Sequence, residues 1–520
     1  MPQAKSAKTL LELSIAYVVQ SMDQWSWKPI ELLDMSDSDL VSSPLHQLPL
    51  CVMEKIVHYL HMNQLLTKHL KWVITSELNE LLLISRDEKE IHVQLKHASI
   101  QCPLLKKLKF EETWKFLDIE TSIVQFLPKF QQLEVLEIAN TSVRDNSLEV
   151  FGTYFKHLRE LDVSHCLGVT DNGIQRLCGS AHHLEEESRR KDYVWWDYGK
   201  CKGIQILRVK GTNVTKKGIR IALQNLPSLK VLSHKLVVEV LSNIHHHQLA
   251  LESNLPVIPK YSLIEIAVAR PYTHGSLGLA LLLCPSIIKV KIKGISNFLD
   301  SDLLELLSLA NLCHLNISGR FVTFCDGVIP LLKANGNLLE SLKLKHFSDV
   351  DIHSIIELCL NLNSLTIDHC EIPIPVEDPN NSVRRKRFKI EQPILRKLEV
   401  LRLFFSSFQF NAESLLLQLL SSPSLRILEI VVCIELTDSI LERVVLLHHF
   451  QNLKHLKLAF CGSLTKKGID FLMNENNSIN SMELEINESS LITTENLNEW
   501  KEKSKQKNWQ FNLTIRNYRD

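Results

Sequence analysis

The stretch L-R-E-L-D-V-S-H-C-L-G-V-T-D-N-G-I-Q-R-L, Leu158 to Leu177, decides how this chain is read. Leu158, Leu161 and Val163 take positions 1, 4 and 6 of a nine-residue phrase that Cys166 closes. Apolar residues two apart suit a short strand with one buried face, and the ninth position needs a small side chain that can turn inward. After the turn, Val169 to Leu177 opens a helix. Thr170 or Asp171 is placed to cap its free N–H groups, and Ile174 and Leu177 are placed to pack back on the strand. The helical phrase returns as L-T-D-S-I-L-E-R-V from Leu436 and as L-T-K-K-G-I-D-F-L from Leu464.

The strand phrase recurs from Leu133, Ile204, Leu229, Leu263, Ile287, Leu312, Leu339, Leu362, Leu398, Leu425, Leu453 and Ile479, with a weaker copy at Leu105. Most intervals are about 23 to 28 residues, the period of leucine-rich repeats. Leucine fills 89 of 520 positions, about 17 %, and the repeat accounts for that excess. The expectation is an α/β leucine-rich-repeat solenoid over residues 101–520, a horseshoe of about 14 repeats with strands inside and helices outside. The phrases ending in Cys166, Cys370, Cys433 and Cys461 resemble the cysteine-containing subtype, common in F-box substrate receptors and their relatives. One cysteine per repeat forms a row that does not converge, so these are read as buried structural thiols, and no metal is expected.

Three intervals run long, near residues 178–203, 234–260 and 371–394. The first mixes a charge run with Tyr193, Trp195 and Trp196. Inserts in a repeat stack go to loops on one face, and exposed Trp and Tyr anchor interfaces, so these three are candidate client contacts. Folding back on a neighbouring helix is the alternative. The third insert carries Arg384 to Lys389, which reads either as a solvated loop or as a nuclear import signal or acidic-partner patch. The middle one includes His245, His246 and His247. Adjacent histidines on a helix point in different directions, so they make a poor metal site and are expected at the surface.

Before about residue 100 the repeat phrase gives way to helical patterning, and residues 1–100 are expected to form an all-α adaptor-binding module. In T-L-L-E-L-S-I-A-Y-V-V-Q-S-M, Thr9 to Met22, residues Leu10, Ser14, Val18 and Met22 lie four apart on one stripe, with Leu11, Ile15 and Val19 beside it. This segment resembles the elongin-C-binding box: Thr9, Leu10 and Val18 match at the family spacing, and Ser14 stands where the family usually has Cys. The resemblance implies docking to elongin B and elongin C through Thr9, Leu10, Leu13, Ser14 and Val18, with Leu10 as the anchor. L-P-L-C-V-M-E-K-I, Leu48 to Ile56, resembles the cullin-selecting box, which implies a cullin contact through Leu48, Pro49, Val52 and Ile56. Pro49 suits a helix start, where its missing N–H would be unpaired anyway. The order of the two boxes resembles receptors of the von Hippel–Lindau type, and the N-terminus looks most like the Zyg eleven family. Those relatives add a C-terminal armadillo-type domain that reads substrate N-termini. This chain stays leucine-rich to Asn517, so that specificity is not carried over. Leu48 to Leu60 also resembles the opening of an F-box, which implies a Skp adaptor and its own cullin through the same four residues. A third possibility is that these helices only cap the first repeat.

Lys plus Arg number 59 against 59 Asp plus Glu, which gives no electrostatic footprint for nucleic acid or an anionic membrane. The apolar runs fall short of the ~18 residues that span a bilayer, and the N-terminus lacks the apolar core of a secretory signal. The 12 cysteines sit mostly in apolar contexts, suiting reduced thiols inside the cell, in cytoplasm or nucleus. No phosphate-binding glycine loop, nucleophile elbow, H-E-x-x-H or C-x-x-C occurs, so neither an enzyme nor a cofactor is expected. The sequence therefore points to a substrate-recognition subunit of a cullin-RING ubiquitin ligase that holds a protein client. The F-box-type receptor and a ligase-independent interaction scaffold are the alternatives.

Overall fold

Each copy of the phrase becomes one short strand, and each strand pairs in parallel with its neighbour from the next repeat. The computed structural model describes residues 10–25, 44–84, 87–110, 118–179, 201–249, 259–372, 395–405, 413–473, 478–486, 491–506 and 512–517. Two units divide the chain: Lys8–Ile266 with Leu283–Pro285, and Ala267–Leu282 with Ser286–Asp520. Both are α/β leucine-rich-repeat stacks.

The first unit opens with helices α1 (Leu10–Ser21), α2 (Leu50–Met62) and α3 (Leu66–Val73). Its sheet runs β1 (Glu80–Leu83), β2 (Lys107–Phe110), β3 (Val135–Glu137), β4 (Glu160–Asp162), β5 (Ile206–Arg208) and β6 (Val231–Ser233), in that spatial order. Strand β1 corrects the expectation that the repeat phrase is absent before residue 100. Leu78, Leu81 and Leu83 are its positions 1, 4 and 6, and Glu80 registers against Lys107. The second sheet runs β7 (Glu265–Val268), β8 (Lys289–Ile292), β9 (His314–Ser318), β10 (Ser341–Lys345), β11 (Ser364–Asp368), β12 (Val400–Phe404), β13 (Ile427–Val431), β14 (His455–Ala459), β15 (Ser481–Ile486) and β16 (Asn512–Asn517).

Along the strands, burial alternates with the pleat. Leu158, Leu161 and Val163 are fully buried, as are Leu362, Leu365 and Ile367, while the residues between them stay half-exposed or exposed except Thr366, which is buried as well. Each such side chain contributes about 1.5–3 kcal/mol of burial. At the eighth position the backbone turns left-handed: Asn140, His165, Gly211, His346, His369, Val432 and Phe460 have φ between 51° and 72°. The ninth side chain then turns in and satisfies a strand-end carbonyl. Thr141 donates its hydroxyl to the Ile138 carbonyl at 2.9 Å, and the Cys166 thiol donates to the same oxygen at 3.3 Å. Burial pushes the Cys166 thiol above its ordinary range, and the Cys461 thiol up to about 12. Cys166, Cys370 and Cys433 are buried and Cys461 half-buried, and the described residues hold no group of His, Cys, Asp or Glu arranged to bind a metal.

The helical phrase resolves into a clasp between successive repeats. Thr170 is the N-cap of the helix Asp171–Leu177, and its hydroxyl accepts from the Asn172 N–H. Asp145, first residue of the preceding helix, accepts the Thr170 N–H at 2.8 Å and its hydroxyl at 2.6 Å. Asp171 does the same for Thr215, Asp300 for Thr323, and Asp438 for Thr465. The glycine in Thr-x-x-Gly makes room for the carboxylate, because a Cβ on Gly173, Gly218 or Gly468 would collide with the aspartate oxygen of the neighbouring repeat.

The stretch from His234 to Pro259 departs from the expected irregular insert. Val237–Leu249 is a helix, with Val237, Val238, Val240, Leu241 and Ile244 buried. His245, expected at the surface, is buried in that packing, and His246 is exposed.

Candidate functional site

Helix α1 is apolar nearly all round, so only its packing shows which face is inward. Ile15 and Val19 are buried, and Met22 continues that face into the following turn. The end of α1 is held to α3 by an Asp23–Lys68 ion pair at 2.6 Å and by Trp25 set edge-on to Trp72 at 5.2 Å. The opposite face carries Leu10 at 82 % exposure, Leu13 at 51 % and Tyr17 at 74 %. At ~100° per residue, Leu13, Tyr17, Leu10 and Ser14 span an arc of about 100° centred opposite Val19. Ser14 is exposed between the large side chains, and its hydroxyl donates back to the Leu10 carbonyl at 2.7 Å. It therefore offers a shallow, internally satisfied notch in an apolar ridge. Val18 lies at the edge of this face, half-buried, and Leu11 is on the same border at 36 %. Thr9 lies outside the described residues.

The second box lies on and before α2. Pro49 takes the N-cap position of α2, and its carbonyl accepts the Val52 N–H at 2.9 Å and the Met53 N–H at 3.1 Å. Pro49 is exposed, Leu48 and Val52 are half-buried, and Ile56 is buried with Met53 and Leu60 on the inward face. Leu48, Pro49 and Val52 thus present surface to a partner, whereas Ile56 holds the helix in the module. Tyr193, Trp195 and Trp196 lie outside the described residues, as does the basic run Arg384 to Lys389.

The half-exposed face of each sheet is a ladder of charges. In the first unit Lys109 bridges Glu80 at 3.4 Å and Glu137 at 3.6 Å, and Arg208 pairs with Glu160. Asp162 turns back to accept the Ser164 N–H at 2.9 Å. In the second unit Lys345 pairs with Asp368 at 2.5 Å, Arg402 with Glu429 at 2.8 Å, and Lys457 with Glu485 at 2.7 Å. Composition could not have singled out these residues, because the pairs join different repeats across 23 to 48 positions of sequence and meet only through strand register. No helix among the described residues is long and apolar enough to cross a membrane.

These features define a leucine-rich-repeat protein with a helical N-terminal module whose first helix keeps an apolar face outward. No protein-family model matches the chain, and no curated protein matches it. Among solved structures it is similar to a chain of the crystal structure of the Rad7 and Elc1 complex in yeast, with 14 % identity and a TM-score of 0.39 over 99 % of this chain and 94 % of that one. It is also similar to a chain of the TLR13–ssRNA13 complex, with 13 % identity and a TM-score of 0.32 over 83 % of this chain and 66 % of that one. The repeat architecture rests on the strand register of this chain and on neither likeness.

Proposed function

We propose that this chain is a substrate-recognition subunit of a cullin-RING ubiquitin ligase, with α1 docking elongin C of an elongin BC adaptor and the repeat sheets holding a protein client. The observation that carries the reading is the outward face of α1. A helix serving only to cap the first repeat has no use for Leu10, Leu13 and Tyr17 in water, and an exposed ridge of large apolar residues marks an interaction site. That face coincides with the residues that resemble the elongin-binding box. Leu48, Pro49 and Val52 are the cullin contacts in this reading, with Ile56 supporting them from inside. The chain itself performs no chemistry: it raises the effective concentration of client lysines beside a conjugating enzyme held elsewhere in the complex. Its place of work is the cytoplasm or nucleus.

The test is co-purification of the full chain with elongin B and elongin C, and separately with the Skp adaptor and its cullin. Elongin capture is expected. Burying a leucine is worth about 2–3 kcal/mol, so Leu10→Ala should weaken capture by about 30-fold or more while thermal unfolding is unchanged. Selective capture by the Skp adaptor would move the assignment to the F-box-type receptor. Binding to neither would leave an interaction scaffold.

A further inference from the structure

The left-handed turn at the eighth position is imposed by the fold, and the residue that makes it varies from repeat to repeat. Asn140, His165, Gly211, His346 and His369 are of the types that enter this region at least cost. Two successive repeats break that rule: Val432 at φ 59° and Phe460 at φ 54° put a β-branched and a bulky aromatic residue there. The Val432 N–H donates to the Ala459 carbonyl at 2.9 Å and the Phe460 N–H to the Glu485 carbonyl at 3.0 Å, so the sheet itself holds both backbones in place. Burial does not repay the strain, because both side chains stay half-exposed. Strain of this kind persists where function needs the side chain.

The neighbours are apolar too. Register sets Phe404 of β12 beside Val431 of β13, and Val431 beside Ala459 of β14. Phe404 and Val431 are half-exposed, so with Val432 and Phe460 they form an apolar patch at the ends of three adjacent strands. Its border is acidic: Glu429, Glu435, Glu483 and Glu485 lie on β13, the turn after it and β15, against the two cations Arg402 and Lys457. Arg402 pairs with Glu429 at 2.8 Å and Lys457 with Glu485 at 2.7 Å. Glu483 has only a share of Lys457, at 3.8 Å. Half-buried Glu435 is reached by the Cys433 thiol at 3.7 Å and by no cation among the described residues.

We propose that this patch seats a large apolar side chain of the client with a basic residue next to it. The inference rests on the reading that the repeat sheets hold a client. The apolar side chain would cover Val431, Val432 and Phe460. The basic group, one residue or ~3.4 Å further along an extended chain, would reach the unbalanced carboxylates of Glu435 and Glu483. An acidic segment or a nucleic acid would meet the same carboxylates and be repelled.

The probe is the decapeptide G-S-G-S-F-K-S-G-S-G with p-benzoylphenylalanine in place of its Phe, irradiated with the full chain and mapped by tryptic mass spectrometry. No adaptor is present, so the outcome is independent of the elongin test. Cross-links are expected within residues 427–435 and 455–460. Val432→Asn combined with Phe460→Asn, a residue that suits the turn, should cut their yield at least about tenfold while the melting temperature does not fall. Glu for Lys in the probe should cut it about fivefold. Cross-links confined to Leu10–Tyr17, equal yield from the Lys and Glu probes, or an Asn variant that loses stability and keeps the wild-type yield would each overturn the proposal. So would a wild type that sediments as a dimer and a double variant that sediments as a monomer, which would give the patch to a second copy of this chain. If the double variant does not fold, Val432→Asn alone and the two probes decide.

Discussion

The clasp at Thr465 supplies a test in which one substitution changes sign with its background. Asp438 accepts the Thr465 N–H at 3.0 Å and the Thr465 hydroxyl at 2.5 Å. Hydrogen bonds to a charged acceptor contribute about 1.5–3 kcal/mol each, and the carboxylate is half-exposed. The lower end of that range applies to both bonds, so Asp438→Ala should cost about 2–3 kcal/mol. Thr465 keeps its own capping bond to the Lys467 N–H, so the helix Lys466–Leu472 survives. A Cβ on Gly468 would collide with the Asp438 oxygen. Gly468→Ala must therefore displace the carboxylate, losing most of those bonds against about 1 kcal/mol of gained helix propensity, a net cost of about 1–2 kcal/mol. In the Asp438→Ala background the obstacle is gone. The remaining close neighbour is the Leu464 Cδ2 methyl at 3.2 Å, the end of a flexible side chain, so Gly468→Ala should now stabilise by about 0.5–1 kcal/mol. The coupling, about 2 kcal/mol, is read from a double-mutant cycle in urea. Repeat stacks can unfold piecewise, so hydrogen exchange of residues 455–472 provides the local readout. An equal cost of Gly468→Ala in both backgrounds would show that the glycine does not exist to admit Asp438.

The remaining predictions address strain, pH and thiol chemistry. Val432 is a β-branched residue at φ 59°, a conformation that costs an L-residue about 1–2 kcal/mol, so Val432→Asn, copying Asn140 at the equivalent position, should raise stability by about 0.5–1 kcal/mol in urea titration. Buried Asp302 accepts from the Tyr272 hydroxyl and the Gly275 and Leu299 N–H groups, and exposed His274 pairs with it at 2.8 Å. Burial raises the Asp302 pKa, but the Gly275 and Leu299 donors and then His274 outweigh it and hold the carboxyl low; the hydrogen bond to Asp302 and its charge hold His274 high. The His274 contribution is therefore complete below its unfolded pKa of about 6.5 and is lost as pH rises through the higher folded value, while that of Asp302 is lost as pH falls through its lowered one. Wild type should melt above His274→Gln near pH 6 and level with it at about pH 9, and a difference that persists to pH 9 would exclude the pairing. Among the described thiols, Cys51 is exposed, so maleimide should label it within minutes; Cys325 is exposed too but held up by burial and by Asp349, so it should label more slowly, while Cys102, Cys201, Cys284 and Cys359, each pushed up to about 12 by burial, stay protected until unfolding.

Strand positions were legible because leucine at positions 1, 4 and 6 is both the pattern and its cause, and every phrase start from Leu105 to Ile479 is followed by a strand. The two strands missed have visible reasons. In L-N-E-L-L-L, Leu82 breaks the alternation, so Leu78–Leu83 reads like part of a helix, and before β16 Gln510 stands where the first leucine belongs. The V-V-E-V-L-S-N-I periodicity makes Val237–Leu249 helical, and the three consecutive histidines at its end interrupt that apolar pattern. The residues of α1 were legible too, but its orientation was not. With Leu10, Leu11, Leu13, Ile15, Val18 and Val19 all apolar, periodicity cannot choose the buried side, and that choice belongs to packing against α2 and α3.

A repeat protein carries its own controls, and both functional readings draw on them. The cations of β2, β5, β10, β12 and β14 show what this sheet face does when left to itself: Lys109, Arg208, Lys345, Arg402 and Lys457 each find a carboxylate on an adjacent strand. Lys343 occupies an equivalent register position and forms no such pair among the described residues. The helices give a parallel contrast. Other helices expose large apolar residues too, Leu446 at 71 % on Asp438–His448 among them, whereas α1 sets Leu10, Leu13 and Tyr17 together on one arc. A contiguous exposed apolar face of this kind is where an external partner is expected to complete the structure.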